Sequence, residues 1–190
     1  AHYEDGVNAE IPAFGKPLFH FLDEAARRNP DRAALRFQNT LFTYRQLKRQ
    51  AERMAGRLRE LGVGDGDRVA VMLPNLPQTI VVFWAILKAG GVVVMLNPLY
   101  MESELLTILN DARPRHMILL DLLWPRIDSL RDRLPVETYI TTGVGDALSF
   151  PLSLLYRLKE LRNRHAPRIP YGPGVLPWKE LARGSEPCVA

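Results

Sequence analysis

Between residues 43 and 120 the chain alternates helix-period segments with short all-apolar runs, and that alternation leaves few folds open. Thr43 and Gln46 stand three apart, as a capping box requires, with Phe42 and Leu47 placed for a hydrophobic staple. From there Leu47, Ala51, Met54, Ala55, Leu58 and Leu61 recur at helical spacing until Gly62 offers a left-handed stop. After the Gly64-Asp65-Gly66-Asp67 turn, Val69-Ala70-Val71-Met72-Leu73 is apolar on both faces, the pattern of a strand buried in a parallel sheet. Pro74-Asn75 ends it, and the spacing predicts a helix over 77–89, with proline in its first turn and Gly90-Gly91 at its end. A second all-apolar strand over 92–96 follows. Beyond Asn97-Pro98 comes a helix over 101–111 opened by Glu102 and Glu104, where the helix dipole favours acids, and then a third strand over 117–120. Strand, helix, strand, helix, strand makes two crossover units. Right-handed crossovers put all three strands parallel in one sheet.

The flanks extend this layer. Apolar residues at Leu18, Phe21, Leu22, Ala25 and Ala26 predict a helix over 18–29, stopped by Asn29-Pro30. Segments 33–37 and 41–43, around Gln38-Asn39-Thr40, predict a β-hairpin. A further helix is expected over 126–134 and a strand over 137–142. Past Gly143, prolines at 151, 167, 170, 173, 177 and 187 break the chain into short pieces, so regular layering is expected to end there. The expected organisation is an α/β core over 18–142 and an irregular segment over 143–190.

At 190 residues the chain suits one domain or a large piece of one. Hydrophobic residues at 47% and charged residues at 24% are ordinary globular values, which excludes fibrous and disordered classes. The net charge of +4 comes from interleaved acids and bases with no basic-plus-aromatic motif, so no nucleic-acid partner is expected. A single cysteine, Cys188, rules out a disulfide framework and fits a reducing compartment. No apolar stretch reaches the roughly 20 residues that span a bilayer, and no signal pattern opens the chain, so a cytoplasmic protein is expected. An apolar run begins at Cys188-Val189-Ala190, where truncation is expected.

Searches for catalytic constellations return nothing: no Gly-x-Ser-x-Gly elbow, no His-Glu-x-x-His, no Cys-x-x-Cys and no complete phosphate loop. His2, His20 and His165 are scattered, and His116, opening a buried strand, reads as a satisfied structural residue. Gly62-Val63-Gly64-Asp65-Gly66 runs from helix to strand, the wrong direction for a phosphate site, and reads as a turn. Thr141-Thr142-Gly143-Val144-Gly145 does follow a strand. It lacks a lysine within reach and is followed by Asp146, which would repel a phosphate. No catalytic, cofactor-binding or metal-binding residue is therefore assigned. Segment 150–165 is different: Leu154, Leu155, Leu158 and Leu161 form an apolar stripe while Arg157, Lys159, Arg162 and Arg164 crowd the other side. Such helices lie on anionic membrane surfaces, which would make the protein peripheral at the inner face of the membrane. An ordinary surface helix packed on the domain is the plainer reading, because four basic residues fall at the weak end of the lipid-binding pattern.

Three of these stretches, in order, resemble the opening of the AMP-forming acyl-CoA synthetases, the adenylate-forming superfamily. They are Leu41-Phe42-Thr43-Tyr44-Arg45-Gln46-Leu47, then Gly66-Asp67-Arg68-Val69-Ala70-Val71-Met72-Leu73-Pro74-Asn75, then Leu87-Lys88-Ala89-Gly90-Gly91 continuing to Leu96-Asn97-Pro98. Asn97-Pro98-Leu99-Tyr100, Glu104-Leu105 and Leu109-Asn110-Asp111 look most like the bacterial long-chain fatty acid–CoA ligases. The resemblance is clear over 18–120 and weaker over 143–158. It implies the N-terminal subdomain of the synthetase fold, in a parent that joins a fatty acid to coenzyme A through an acyl-adenylate, using ATP and Mg and releasing AMP and pyrophosphate. It also implies that the family's working residues lie further on: a Thr/Ser/Gly-rich loop ending in Lys-Gly, an aromatic-Thr-Glu motif, an adenosine-binding Asp and a catalytic Lys on a C-terminal lid. None is carried over to this sequence. The implied partners are the fatty acid, the rest of the chain's own polypeptide and, as in many members of the family, a second copy in a homodimer. Aryl-CoA ligases and peptide-synthetase adenylation domains share the first motifs. A free-standing binding or membrane-surface module is the reading outside the family.

Overall fold

A computed structural model describes residues 15–38, 40–148, 154–156 and 167–183. The chain opens with α1 (His20–Arg28), followed by an antiparallel hairpin of β1 (Ala33–Phe37) and β2 (Thr40–Thr43). Helix α2 (Tyr44–Glu60) starts on the expected capping box. The Gln46 amide donates to Thr43 Oγ1 at 3.3 Å, and the Thr43 amide donates to Gln46 Oε1 at 2.9 Å. Strand β3 (Arg68–Met72), α3 (Pro77–Ala89), β4 (Val92–Met95), α4 (Glu102–Ala112) and β5 (His116–Leu120) then follow in turn. Gly90 closes α3 at φ 95°, and a β-carbon there would collide with Asp65, so both conformation and space call for glycine.

The main sheet has five strands in the order β4-β3-β5-β6-β7, and every neighbouring pair is parallel. Strand β6 is Thr138–Thr142. Three sequence expectations need correction. Layering does not end at Gly143, because β7 (Val175–Pro177) adds a fifth parallel strand beside β6 and leads into α6 (Trp178–Arg183). Proline hides this strand in the sequence; Pro177, paired with Thr141 in register, ends the strand on the edge of the sheet, where a missing amide donor is tolerated. The helix expected over 126–134 is shorter and earlier: α5 covers Trp124–Asp128, flanked by 3-10 turns at Asp121–Leu123 and Arg131–Arg133. Strand β4 is not buried on both faces, since it forms the other edge and leaves Val92 and Met95 exposed.

Side-chain alternation divides the sheet between two cores. Val69, Val71, Ile118, Leu120 and Ile140 face α2 and α3, with Trp178 and Leu181 of α6 joining them. Ala70, Met72, Met117, Leu119 and Tyr139 face α4 and α5 through Leu105, Leu109, Trp124 and Ile127. Both faces being covered explains the all-apolar strands at the centre. Truncating Leu58 or Leu105, each with no exposed surface, costs about 2–5 kcal/mol by the usual cavity penalty.

Candidate functional site

Because the five strands are parallel, their carboxyl ends share one edge, and ligands of open α/β sheets bind outside that edge where the strand order reverses. Here the reversal falls between β3 and β5. From β3 the chain crosses over α3 to β4 on one side, then returns over α4 to β5 on the other. The edge is built from Pro74 and Asn75 after β3, Asn97 and Pro98 after β4, Asp121 after β5, and Gly143 after β6.

Gln78, in the first turn of α3 and 3% exposed, holds this edge together. Its Nε2 donates to Thr142 Oγ1 at 3.2 Å and to the Gly143 carbonyl at 3.0 Å. Thr79 Oγ1 donates to the Pro74 carbonyl at 2.6 Å, closing the turn from β3 into α3. On the far side Arg126 donates to the carbonyls of Tyr100 at 2.9 Å and Pro98 at 2.6 Å, which fixes the loop after β4. Asp121 accepts from the Leu122 amide at 2.7 Å; burial raises its carboxyl above the usual carboxylate range, and the charge of Asp146 adds to the rise.

The turn after β6 does not fit a phosphate. Asp146 Oδ2 already accepts from the Gly143 amide at 3.0 Å and from Thr142 Oγ1 at 3.2 Å. A carboxylate therefore occupies the place an anion would take, and Lys179 lies 3.5 Å from its other oxygen. The sequence argument that Asp146 repels phosphate is sharpened, for Asp146 caps the turn itself. Among the described residues no group of three His, Cys, Asp or Glu side chains is placed to hold a metal ion. None of their helices is long and apolar enough to cross a membrane.

His116 corrects another expectation. It is buried as anticipated, 2% exposed, yet neither ring nitrogen has a hydrogen-bond partner among the described residues. Burial lowers its pKa below the ordinary histidine value, with the neighbouring Arg115 charge acting in the same direction. It lies at the amino end of β5, away from the carboxyl edge. His20 is half-buried at the start of α1, its Nε2 3.2 Å from Lys16 Nζ. Arg157, Lys159, Arg162 and Arg164, proposed for a membrane surface, lie outside the described residues, as do His2, His165 and Cys188. Sequence reasoning missed Gln78. Its one signal was an amide at the start of a mostly apolar helix, three residues after Asn75.

Residues 22–167, most of the chain and including this whole edge, match the family described as AMP-binding enzyme. The chain belongs to that family. A long-chain-fatty-acid–CoA ligase of Bacillus subtilis (strain 168) is 39% identical over 165 residues, covering 87% of this chain and 30% of that protein. Triostin synthetase I of Streptomyces triostinicus is 41% identical over 91 residues, 48% of this chain and 17% of that one. Among solved structures, the anthranilate CoA ligase AuaEII in complex with anthranoyl-AMP superposes with a TM-score of 0.65 at 27% identity, over 74% of this chain and 27% of its own. The fold is thus that of the N-terminal part of an adenylate-forming ligase. This AMP-binding-family chain spans 30% of the length of the Bacillus relative.

Proposed function

We propose that this chain is the N-terminal scaffold of a long-chain fatty acid–CoA ligase, which joins a fatty acid to coenzyme A through an acyl-adenylate and releases AMP and pyrophosphate. The observation that carries this reading is the 39% identity to the Bacillus subtilis ligase over 165 residues, far more of the chain than the 91 residues matched to the peptide synthetase. Stabilising charge on an attacked phosphate needs placed cations and amides. The Thr141–Gly145 turn has its amide capped by Asp146, so phosphate and Mg chemistry is assigned to the polypeptide beyond this chain. The role of these residues is to hold an edge: Gln78, Thr79 and Arg126 fix the loops that border the parent's substrate crevice.

The test is a chimera in which residues 22–167 replace the matching portion of the Bacillus ligase. Palmitate-dependent ATP–pyrophosphate exchange and thioester formation are expected. A folded chimera that exchanges with benzoate or anthranilate and not with palmitate would move the reading to an aryl-CoA ligase, which the likeness to AuaEII favours. The isolated chain is expected to form no acyl-adenylate.

A cytoplasmic enzyme, peripheral at the inner face of the membrane, fits the basic stripe of Arg157, Lys159, Arg162 and Arg164. Co-sedimentation with anionic vesicles tests it, and equal binding after all four are changed to Gln would remove that part of the reading.

A further inference from the structure

The positive charge of this chain is concentrated in one part of it. Between residues 16 and 60, which hold α1, the hairpin and α2, eleven Lys and Arg stand against five Asp and Glu, an excess of six, whereas the whole chain has an excess of four. The remainder is therefore slightly acidic. Arg27 and Arg28, in the last turn of α1, share a single acid, Glu24. Helix α2 carries Arg45, Lys48 and Arg49 in its first two turns and no acid in the first, although the helix dipole disfavours cations there. A placement that costs local stability points to a use beyond folding.

The end of α1 and the start of α2 enclose a cleft of about 250 Å³, lined by Arg27, Arg45, Lys48 and Arg49 together with Asp23 and Glu52. Both acids are already neutralised. Lys88 Nζ lies 2.7 and 2.8 Å from the two oxygens of Asp23, and Lys48 pairs with Glu52. Arg45 donates to Asp31 at 3.1 Å. That leaves Arg27, its side chain 70% exposed and its acid shared, and exposed Arg49, which has no hydrogen bond or ion pair among the described residues. The first amides of α2 take no part, since those of Tyr44, Arg45 and Gln46 donate to the Arg32 carbonyl, the Pro30 carbonyl and Thr43 Oγ1. An anion in the cleft would meet side chains alone.

The chemistry of those side chains selects the ligand. A guanidinium is a planar fork whose paired N–H groups match phosphate oxygens, and two forks short of acid suit an anion of more than one charge. Phosphate is tetrahedral, so its oxygens can meet Arg27 from α1 and Arg49 from α2 at once, whereas a planar carboxylate turns both oxygens to one side. We propose that the cleft between α1 and α2 binds a phosphate group, free or carried on a larger molecule, through Arg27 and Arg49 with Arg45 and Lys48 beside them. The site does not depend on the reading of the chain as a ligase.

Calorimetric titration of the chain with pyrophosphate tests it, with malonate as the dicarboxylate control. Saturable binding, severalfold tighter than that of malonate, is expected. Arg27→Gln and Arg49→Gln should each weaken it about tenfold, the loss of one charge-assisted hydrogen bond. Arg36→Gln, on β1 and outside the cleft, should leave it unchanged. Arg49 bonds to nothing in the described fold, so the Tm of its variant should match wild type. Equal weakening by Arg36→Gln would reveal a diffuse charge effect and overturn the site, as would equal affinity for malonate. Co-sedimentation with phosphatidylcholine vesicles containing phosphatidic acid, whose head group is a phosphate monoester, separates the sources. Vesicle binding that Arg49→Gln weakens puts the phosphate on a lipid, and pyrophosphate binding without vesicle binding puts it in solution. Binding to neither would overturn the proposal. The chain's own acids Glu4, Asp5 and Glu10 precede α1. Pyrophosphate binding seen only after all three are changed to Gln would assign the cleft to that opening segment and overturn the proposal as well.

Discussion

Lys88 Nζ lies 2.7 Å from Asp23 Oδ1, so the single charged side chain of α3 ties α1 to the body of the fold. Glu52 of α2 stands 3.8 Å from the same nitrogen, Lys48 bridges the two acids, and the ring of Phe19 lies 5.0 Å below the ammonium. With its side chain 3% exposed, Lys88 is held away from bulk water between the acids of α1 and α2.

Asp23→Ala leaves that buried cation with Glu52 alone. Stability is expected to fall by about 2 kcal/mol in urea unfolding, less than for a fully buried pair because Asp23 is itself partly exposed and Glu52 remains. The double variant Asp23→Leu/Lys88→Met should recover most of the loss, since the penalty comes from the orphaned charge and not from the missing attraction.

Thr43→Ala removes the acceptor for the Gln46 amide at the start of α2 and should cost about 1 kcal/mol, with Thr43→Ser close to neutral. Chemical denaturation of the two variants decides it; equal losses would show that the methyl, and not the hydroxyl, does the stabilising.

The unpartnered ring of His116 makes stability depend on pH. The unfolded chain takes up a proton at the ordinary value of 6.5, while the folded chain resists protonation until lower pH because burial disfavours the charged ring. Below 6.5 the unfolded state therefore binds more protons, and stability falls as pH falls, by at most about 1.4 kcal/mol per pH unit. Stability of wild type minus that of His116→Leu should therefore decrease as pH falls from that value to about pH 5, above the range in which ordinary carboxylates titrate. A difference that does not change with pH would refute the assignment.

Tyr139 packs edge-on against Trp124, ring centroids 5.7 Å apart, under the guanidinium of Arg131, but its hydroxyl is buried with no hydrogen-bond partner among the described residues. Tyr139→Phe keeps the ring and removes the unsatisfied group, so stability should hold or rise by about 1 kcal/mol, whereas Tyr139→Ala should lose about 3–5 kcal/mol. In the wild type, burial pushes the phenol up to about 12. Ultraviolet titration should show one tyrosine lagging the rest, and that lag should vanish in Tyr139→Phe.

The layered core was legible because its signals are local. Thr43 and Gln46 marked the start of α2, Pro77 and Gly90 bracketed α3, and the apolar runs at β3 and β5 could only be strands buried on both faces. Strand β7 was not legible: three residues ending in proline carry no periodicity, and only pairing with β6 makes them a strand. The carboxyl edge was legible as a set of turns and illegible as a site, because Gln78 meets Thr142 across 64 positions of sequence.

By itself, then, the sequence determined the order and type of the central elements, their parallel arrangement and the family motifs, all properties that spacing within about a dozen residues can encode. Tertiary structure alone decided which polar groups meet, Lys88 with Asp23, Gln78 with Thr142 and Asp146 over Gly143, and left the His116 ring and the Tyr139 hydroxyl without a hydrogen-bond partner among the described residues. It also decided that Ile80 of α3 is exposed while Val81 and Val82 beside it are buried. The physical reason is the same in each case: burial and hydrogen bonding depend on which distant segments fold against one another, and a chain's periodicity carries no record of that.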